Sequence, residues 1–364
     1  MSAVAASPLG ESHSGARRRQ IAVPSLLEIA PDIIDDAGSL LADNGFDLAH
    51  TLVVSGARAS AAHAQRIVDD LQGDGRQVTL VTDPDGTLRA AAQLAARIIE
   101  EEVTLGVAVG GGRVIDTVKL AAARTGTEFV ACPTTIAHDG MSSPVASLRR
   151  DGGGRGSFAA VMPAGVLVDL RVIATSPIDT VRAGVGDLLS NLTAGLDWRL
   201  ADRAGADRFD AFSAMIAENA ARTVLRSADL ELQRLYEPLA HGLLLSGLAM
   251  ASAGTSRPCS GAEHLISHSL DEMFPRKPPG IHGEQVALGS LMAAAAHGSE
   301  LTEQLKGLYA QVGLPRHPGD LGLTMDEFLC AVRAAPATRP GRYTILSQID
   351  LCSELDGIAE RAFG

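Results

Sequence analysis

Aromatic side chains are scarce in this chain of 364 residues, which holds one Trp, three Tyr and eight Phe. So few stacking rings, with 31 basic against 43 acidic residues and a formal net charge of −12, exclude a nucleic-acid surface, which needs clustered cations and π-faces. The same acidity means that an anionic ligand needs a local basic pocket. Cysteine is rare as well. Cys132, Cys259, Cys330 and Cys352 are far apart and form no C-x-x-C pair, which points to reduced thiols in a cytoplasmic protein rather than a disulfide framework. Long apolar runs are missing. The most apolar stretch, Gly242 to Gly254, is about 13 residues long, below the roughly 18 that suggest a membrane span. Met1 to Gln20 ends in Arg17-Arg18-Arg19 with no apolar segment behind it, so residues 1–20 are expected to form a disordered arm rather than an export signal.

The remaining length is too great for one comfortable core and suggests two domains. Up to about residue 170, short β-rich runs (Thr51–Val54, Val78–Val81, Leu105–Val109, Glu128–Ala131, Val166–Val168) alternate with helical patterns (Ala59–Leu71, Thr87–Glu101, Val114–Arg124). Continuous apolar strands separated by helices predict a parallel, Rossmann-like sheet buried on both faces. Beyond Thr175 the strand pattern stops, and helical stretches run from Gly186–Arg203 to Tyr343–Phe363. The expected organisation is an α/β dinucleotide-binding domain over 21–174 and an all-α metal- and substrate-binding domain over 175–364. The Gly152-Gly153-Gly154 run reads as the loop of an exposed hairpin near the junction.

Two loops carry phosphate chemistry. Gly110-Gly111-Gly112 follows an apolar strand and opens a helix through Arg113, Val114 and Asp116; glycines let the backbone approach a pyrophosphate, and the helix start offers free N–H groups. The spacing is not G-x-G-x-x-G, so a plain tight turn is the competing reading. Pro133-Thr134-Thr135 follows the next strand and leads through His138-Asp139-Gly140 to Ser143. Ligands of open α/β sheets gather beyond the carboxyl ends of strands. Two consecutive strands delivering such loops define one dinucleotide crevice, unless these hydroxyls only cap turns.

A metal site is suggested downstream. His264 and His268 lie four apart on one helical face, and His282 opens the next helix after Pro278-Pro279-Gly280. Neutral imidazoles suit zinc, nickel or ferrous iron, although a His-x-x-x-His pair is also met as an ordinary polar face. Asp187 can supply a hard oxygen ligand or merely complement a helix dipole as an N-terminal acidic residue. An Asp-His-His set leaves positions open for substrate, as a catalytic metal requires.

Taken together, the strings Gly110–Asp116, Pro133-Thr134-Thr135 with His138-Asp139-Gly140 and Ser143-Pro144, Gly186–Asn191, Ser256–His264 and His282–Val286 resemble the iron-containing (group III) alcohol dehydrogenase superfamily, which includes glycerol dehydrogenases and dehydroquinate synthases. The resemblance spans roughly residues 25–360 and is closest to the phosphate-handling sn-glycerol-1-phosphate branch. It implies a divalent metal, zinc before nickel or iron, on Asp187, His264 and His282. His268 and Asp139 would be catalytic and face the substrate, as would Asp187. Gly110, Gly111, Gly112, Arg113, Val114, Asp116, Thr134, Thr135 and Ser143 would line the NAD(H) or NADP(H) site. The implied reaction is reversible reduction of dihydroxyacetone phosphate to sn-glycerol 1-phosphate, a step toward phospholipids; a relative acting on another polyol, ketone or phosphorylated sugar, or a non-catalytic nucleotide binder, is the alternative. Homo-oligomers are expected.

The substrate phosphate needs a cation, and Arg257, seven residues before His264, is the candidate, unless it pairs with Glu263 or another carboxylate. His138 and Arg113 come next. The first strand read above ends in Ser55-Gly56-Ala57-Arg58 with no carboxylate to chelate ribose hydroxyls, which predicts use of both NADH and NADPH.

Overall fold

The computed structural model describes residues 21, 23–57, 59–150, 154–227 and 231–364. The expected N-terminal arm, Arg58, Gly152 and Gly153 lie outside them.

Among the described residues, eight strands form in chain order: β1 (Leu26–Ala30), β2 (His50–Ser55), β3 (Gln77–Thr82), β4 (Leu105–Gly110), β5 (Glu128–Pro133), β6 (Val145–Arg149), β7 (Arg155–Ala159) and β8 (Gly165–Asp169). Six make a parallel sheet in the order β1-β8-β5-β4-β2-β3. β2, β4 and β8 are buried at every position, which is why they read as unbroken apolar runs. Between them lie α1 (Ala37–Asp43), α2 (Ala59–Gly73), α3 (Leu88–Glu100) and α4 (Gly112–Thr125). Alternate strand residues face opposite layers. Val53, Val107 and Val109 pack with α1 and α2 through Leu41, Ile67 and Leu71; Leu52, Val54 and Ala108 pack with α3 and α4 through Leu94, Ile98 and Val118. The second layer continues without a break into the helical half, so a single buried cluster joins the sheet to Leu188, Leu265 and Leu288.

β6 and β7 pair antiparallel, Arg149 opposite Arg155, as a separate hairpin. That hairpin is consistent with the glycine-rich loop read from sequence. β1 escaped the sequence reading because a five-residue edge strand with a mixed burial pattern carries little periodic signal.

From Leu170 onward the described residues are helical or irregular: α5 (Leu170–Ala174), α6 (Ile178–Arg203), α7 (Ala211–Arg226), α8 (Tyr236–Ala253), α9 (Ala262–Met273), α10 (His282–Ala296), α11 (Leu301–Val312), α12 (Met325–Thr338) and α13 (Leu355–Phe363). Two expectations are corrected here. α6 begins at Ile178 rather than Gly186, so Asp187 sits in the helix interior and cannot be explained as an N-terminal dipole partner. Tyr343–Phe363 is not one helix. Ser347 Oγ accepts from the Thr344 N–H at 3.2 Å and closes a 3-10 turn over Ile345–Ser347, and Asp350 accepts from Cys352 N–H at 2.9 Å before α13 starts; such side-chain caps compete with helix continuation.

The three helices that matter most for function touch backbone to backbone. A methyl group on Gly283 of α10 would strike the Ala183 carbonyl of α6, and one on Gly186 of α6 would strike the Gly283 carbonyl. Gly289 of α10 also lies close to α9, where an added Cβ would come within 2.7 Å of the Glu263 carbonyl oxygen.

Candidate active site

The strand order reverses between β2 and β4, since the chain leaves β2 for the edge strand β3 and returns on the other side. Open α/β sheets bind ligands at such a reversal. Gly110 ends β4 there and Gly111 caps α4 with extended backbone. The first intrahelical bonds into α4 are donated by Val114 and Ile115, so the N–H groups at the helix start are left to face a ligand. Gly110 has to be glycine because a Cβ would meet Val114 Cγ2 at 2.8 Å. From the neighbouring β5, Thr134 donates its N–H to the Gly110 carbonyl at 3.0 Å and its hydroxyl meets Ser60 Oγ at 3.2 Å. Thr135 stands beside Gly111.

Other residues read as cofactor-facing also tie together the frame around the crevice. Asp116 is buried, with Oδ1 accepting from Lys119 Nζ at 2.9 Å and Oδ2 from the Ser147 N–H at 3.1 Å. Lys119 also donates to the carbonyls of Gly140 and Val145, at 2.6 and 2.9 Å, and Ser143 Oγ donates to Val145 O at 3.3 Å. Together they hold the 134–145 loop in place. Val114 is buried under the glycine turn. Arg113 is exposed and donates to Asp83 Oδ1 at 2.5 Å.

Asp187 from α6, His264 from α9 and His282 from α10 converge, with one ligand atom of each within 4.8 Å of the others. Asp187 Oδ1 lies 3.7 Å from His264 Nε2 and 3.6 Å from His282 Nε2. Tetrahedral zinc with bonds of about 2.1 Å separates its ligands by about 3.4 Å, so the two Asp187–histidine separations suit such an ion. The tautomers agree. The Glu263 carboxylate accepts from His264 Nδ1 at 3.0 Å. The Ser267 hydroxyl gives its hydrogen to Gln285 Oε1 at 2.7 Å and so accepts from His282 Nδ1 at 3.0 Å. Both Nε2 lone pairs are thereby turned toward Asp187, the usual second layer of a histidine–metal site. Asp187 Oδ2 is taken by the Asp139 N–H at 2.9 Å, which leaves Oδ1 for the histidines. Side-chain exposure rises from 4% at Asp187 through 13% at His264 to 35% at His282, so the cluster is walled on one side and open on the other.

The charges point the same way. Burial opposes a proton on His264, yet Asp187 and Glu263 on either side raise it to about 10. Burial alone would lift Asp187, but the facing His264, His282 and His138 hold it below the ordinary carboxylate value. A site with this excess of negative charge draws cations. Asp139, half-buried, is raised to about 8 by burial and by the Asp187 charge. His268, one turn beyond His264 with ring centroids 6.5 Å apart, is lowered to about 4 by burial, His264 and the nearby Arg339, Arg342 and Arg155. It is therefore neutral at pH 7, further from its ordinary value than its type alone would suggest.

Arg257 is buried and committed. Its Nε donates to Asp207 Oδ2 at 2.7 Å and its Nη1 to the Tyr343 carbonyl at 2.6 Å. Sequence reasoning noticed Glu263 only as a neighbour and missed Ser267 and Gln285; their i−1 and i+3 spacing to the histidines was the available signal.

The sequence matches the iron-containing alcohol dehydrogenase family over residues 28–177. It is 34% identical over 339 residues to glycerol-1-phosphate dehydrogenase (NAD(P)+) of Methanothermobacter thermautotrophicus, covering 92% of this chain and 96% of that protein. To the protein of the same name from Thermococcus kodakarensis it is 36% identical, with 83% and 86% covered. Among solved structures, a probable glycerol dehydrogenase from Sinorhizobium meliloti superposes with a TM-score of 0.75 at 23% identity over 95% of this chain and 98% of that one. An iron-containing alcohol dehydrogenase from Thermotoga maritima gives 0.68 at 16% identity, with 95% and 100% covered; both share the fold. Full-length similarity to these enzymes, joined to a glycine turn at the sheet reversal and an Asp-His-His cluster beside it, places the chain in the glycerol-1-phosphate dehydrogenase family of the iron-containing alcohol dehydrogenases.

Proposed function

We infer that the chain catalyses reversible reduction of dihydroxyacetone phosphate to sn-glycerol 1-phosphate with NADH or NADPH, at the cleft between the β4–α4 turn and the Asp187–His264–His282 cluster. The convergence of three prealigned ligands beside a dinucleotide crevice carries this reading, and the names of its full-length relatives support it. When bound, a divalent cation, zinc by preference, supplies Lewis acidity toward a substrate carbonyl. The reduced nicotinamide supplies hydride. The chain's own residues do the positioning: Gly110, Gly111 and Gly112 admit the pyrophosphate to the start of α4, and Thr134 and Thr135 border it. The Asp139 N–H fixes which oxygen of Asp187 faces the histidines.

His268 holds the relay position. Neutral at pH 7, it can take a proton from the alcohol or an intervening water during oxidation, and the same path returns it during reduction. Its low pKa makes it a fast donor once protonated rather than a store of protons.

We also propose a cytoplasmic homo-oligomer. The four cysteines are free thiols, among the described residues no helix is long and apolar enough to cross a membrane, and α7 exposes Phe212 and Met215. Zinc-loaded protein assayed with dihydroxyacetone phosphate, glycerol and dihydroxyacetone should prefer the phosphorylated ketone by orders of magnitude in kcat/KM. Turnover of glycerol with none of dihydroxyacetone phosphate would refute the assignment.

A further inference from the structure

Three arginines meet next to the metal-ligand helix with one carboxylate among them. Arg257 takes that carboxylate, Asp207. Arg342 is buried and donates Nη1 to the Ser260 carbonyl at 3.0 Å and Nη2 to Ser256 Oγ at 2.9 Å. Arg339, exposed just past the end of α12, donates Nη1 to the same Ser256 hydroxyl at 3.1 Å. Among the described residues neither Arg339 nor Arg342 has a carboxylate within ion-pair distance. Two guanidinium groups thus converge on one small hydroxyl, with Asp207 and Glu263 acting on Arg342 only from beyond ion-pair distance. The crowding is unfavourable: burial first, then Arg339 and Arg257, lower Arg342 to about 9, although arginine in an ordinary setting does not give up its proton.

The place of this pair matters. Ser260 lies just before the Gly261 cap of α9, the helix that carries His264, and α12 packs along α9. The positive charges of Arg339 and Arg342 are felt at His268. The arginines therefore stand at the start of the helix that carries His264 and His268. Guanidinium forks match phosphate oxygens, and two charges match a dianion.

We propose that Arg339 and Arg342, with the Ser256 hydroxyl between them, seat the phosphate dianion of the substrate, while Arg257 braces the seat by tying Asp207 to the Tyr343 backbone. This assignment rests on the reaction inferred above. It moves the phosphate from the arginine that the sequence singled out to two that it did not.

The test pairs kinetics with direct binding. In zinc-loaded Arg339→Ala, kcat/KM for dihydroxyacetone phosphate should fall about 30-fold or more, chiefly through KM, because charge-assisted hydrogen bonds to the substrate alone are lost. Inorganic phosphate, titrated calorimetrically, should weaken in parallel, and turnover of unphosphorylated dihydroxyacetone should change less than about twofold. Arg342→Lys should recover part of what Arg342→Ala loses, since charge without the fork remains. Arg339 is exposed, so its variant keeps the fold even if Arg342→Ala does not. Wild-type phosphate affinity in both Arg339→Ala and Arg342→Lys, or a loss confined to Arg257→Ala, overturns the proposal. Failure of the wild type to reduce dihydroxyacetone phosphate overturns the reaction instead, and phosphate calorimetry on the same variants then decides the seat by itself.

Discussion

Glu263→Gln separates the two ways in which a buried carboxylate can act on a metal ligand. Glu263 is fully buried and accepts at 3.0 Å from His264 Nδ1, while Thr193 Oγ1 donates to its other oxygen at 2.9 Å. Glutamine keeps the shape and one acceptor but removes the charge. A charge-assisted hydrogen bond is worth about twice a neutral one, so the loss to His264 as a ligand should be about 1–2 kcal/mol, or roughly 5–30-fold in zinc affinity. The opposing effect comes from protons. In the metal-free protein His264 is raised to about 10 against its burial by Asp187 and Glu263, so binding a cation must release a proton, and wild-type affinity should climb about tenfold per pH unit between roughly pH 6 and 9. A raised histidine is protonated below its folded pKa, hence metal binding weakens as pH falls. Without the Glu263 charge that pKa drops, competition from protons ends at lower pH, and the variant's curve flattens sooner. Plots of log affinity against pH should therefore lie furthest apart above about pH 10, where the wild-type His264 has lost its proton, and draw together as the pH falls. Competition titration with a chromophoric chelator measures both curves. Parallel lines, or a variant that binds zinc more tightly at alkaline pH, would refute the account of Glu263.

Chelation of the metal should abolish turnover and leave far-ultraviolet circular dichroism unchanged, because α6, α9 and α10 pack through their own cores; zinc should restore activity, and a collapse of helicity would show that the ion is structural. Gly283→Ala should destabilise by about 2–3 kcal/mol through overpacking against α6 and lower zinc content with it, measured by urea unfolding and metal analysis; a wild-type midpoint would contradict the backbone contact. Wild-type enzyme should use NADH and NADPH within about tenfold of each other, and Ser55→Asp should depress NADPH use selectively by charge repulsion at the end of β2, a reading that fails if kcat/KM for the two coenzymes falls equally.

Much of the fold was legible because each half obeys one rule. Strands buried on both faces announce themselves as Leu105–Val109 does, and Asp187, His264 and His282 sit in separate, recognisable strings. The misses share a physical cause, which is that they depend on where elements meet. That Asp187 lies in the middle of a helix follows from α6 starting at Ile178, where Pro177 stands at the cap, and no polar pattern in Ile178–Val185 marked it. Arg339 and Arg342 follow α12 in a stretch with no motif; only the packing of α12 along α9 brings them to Ser256. Arg257 misled in the opposite direction. Its short distance from His264 in sequence suggested a substrate contact, but the fold turns it to Asp207.

The 134–143 loop touches both halves of the catalytic apparatus. His138 lies directly against Gly112, where an added Cβ would collide with its ring, and that ring is 6.3 Å from His282; one residue later the backbone of Asp139 holds Asp187. The glycine turn and the residue that aims the acidic ligand are thus joined through two consecutive positions of one loop. Linkage requires the influence to run both ways: whatever factor the nucleotide adds to cation affinity, the cation returns to nucleotide affinity. Depleting either partner is therefore predicted to loosen the grip on the other.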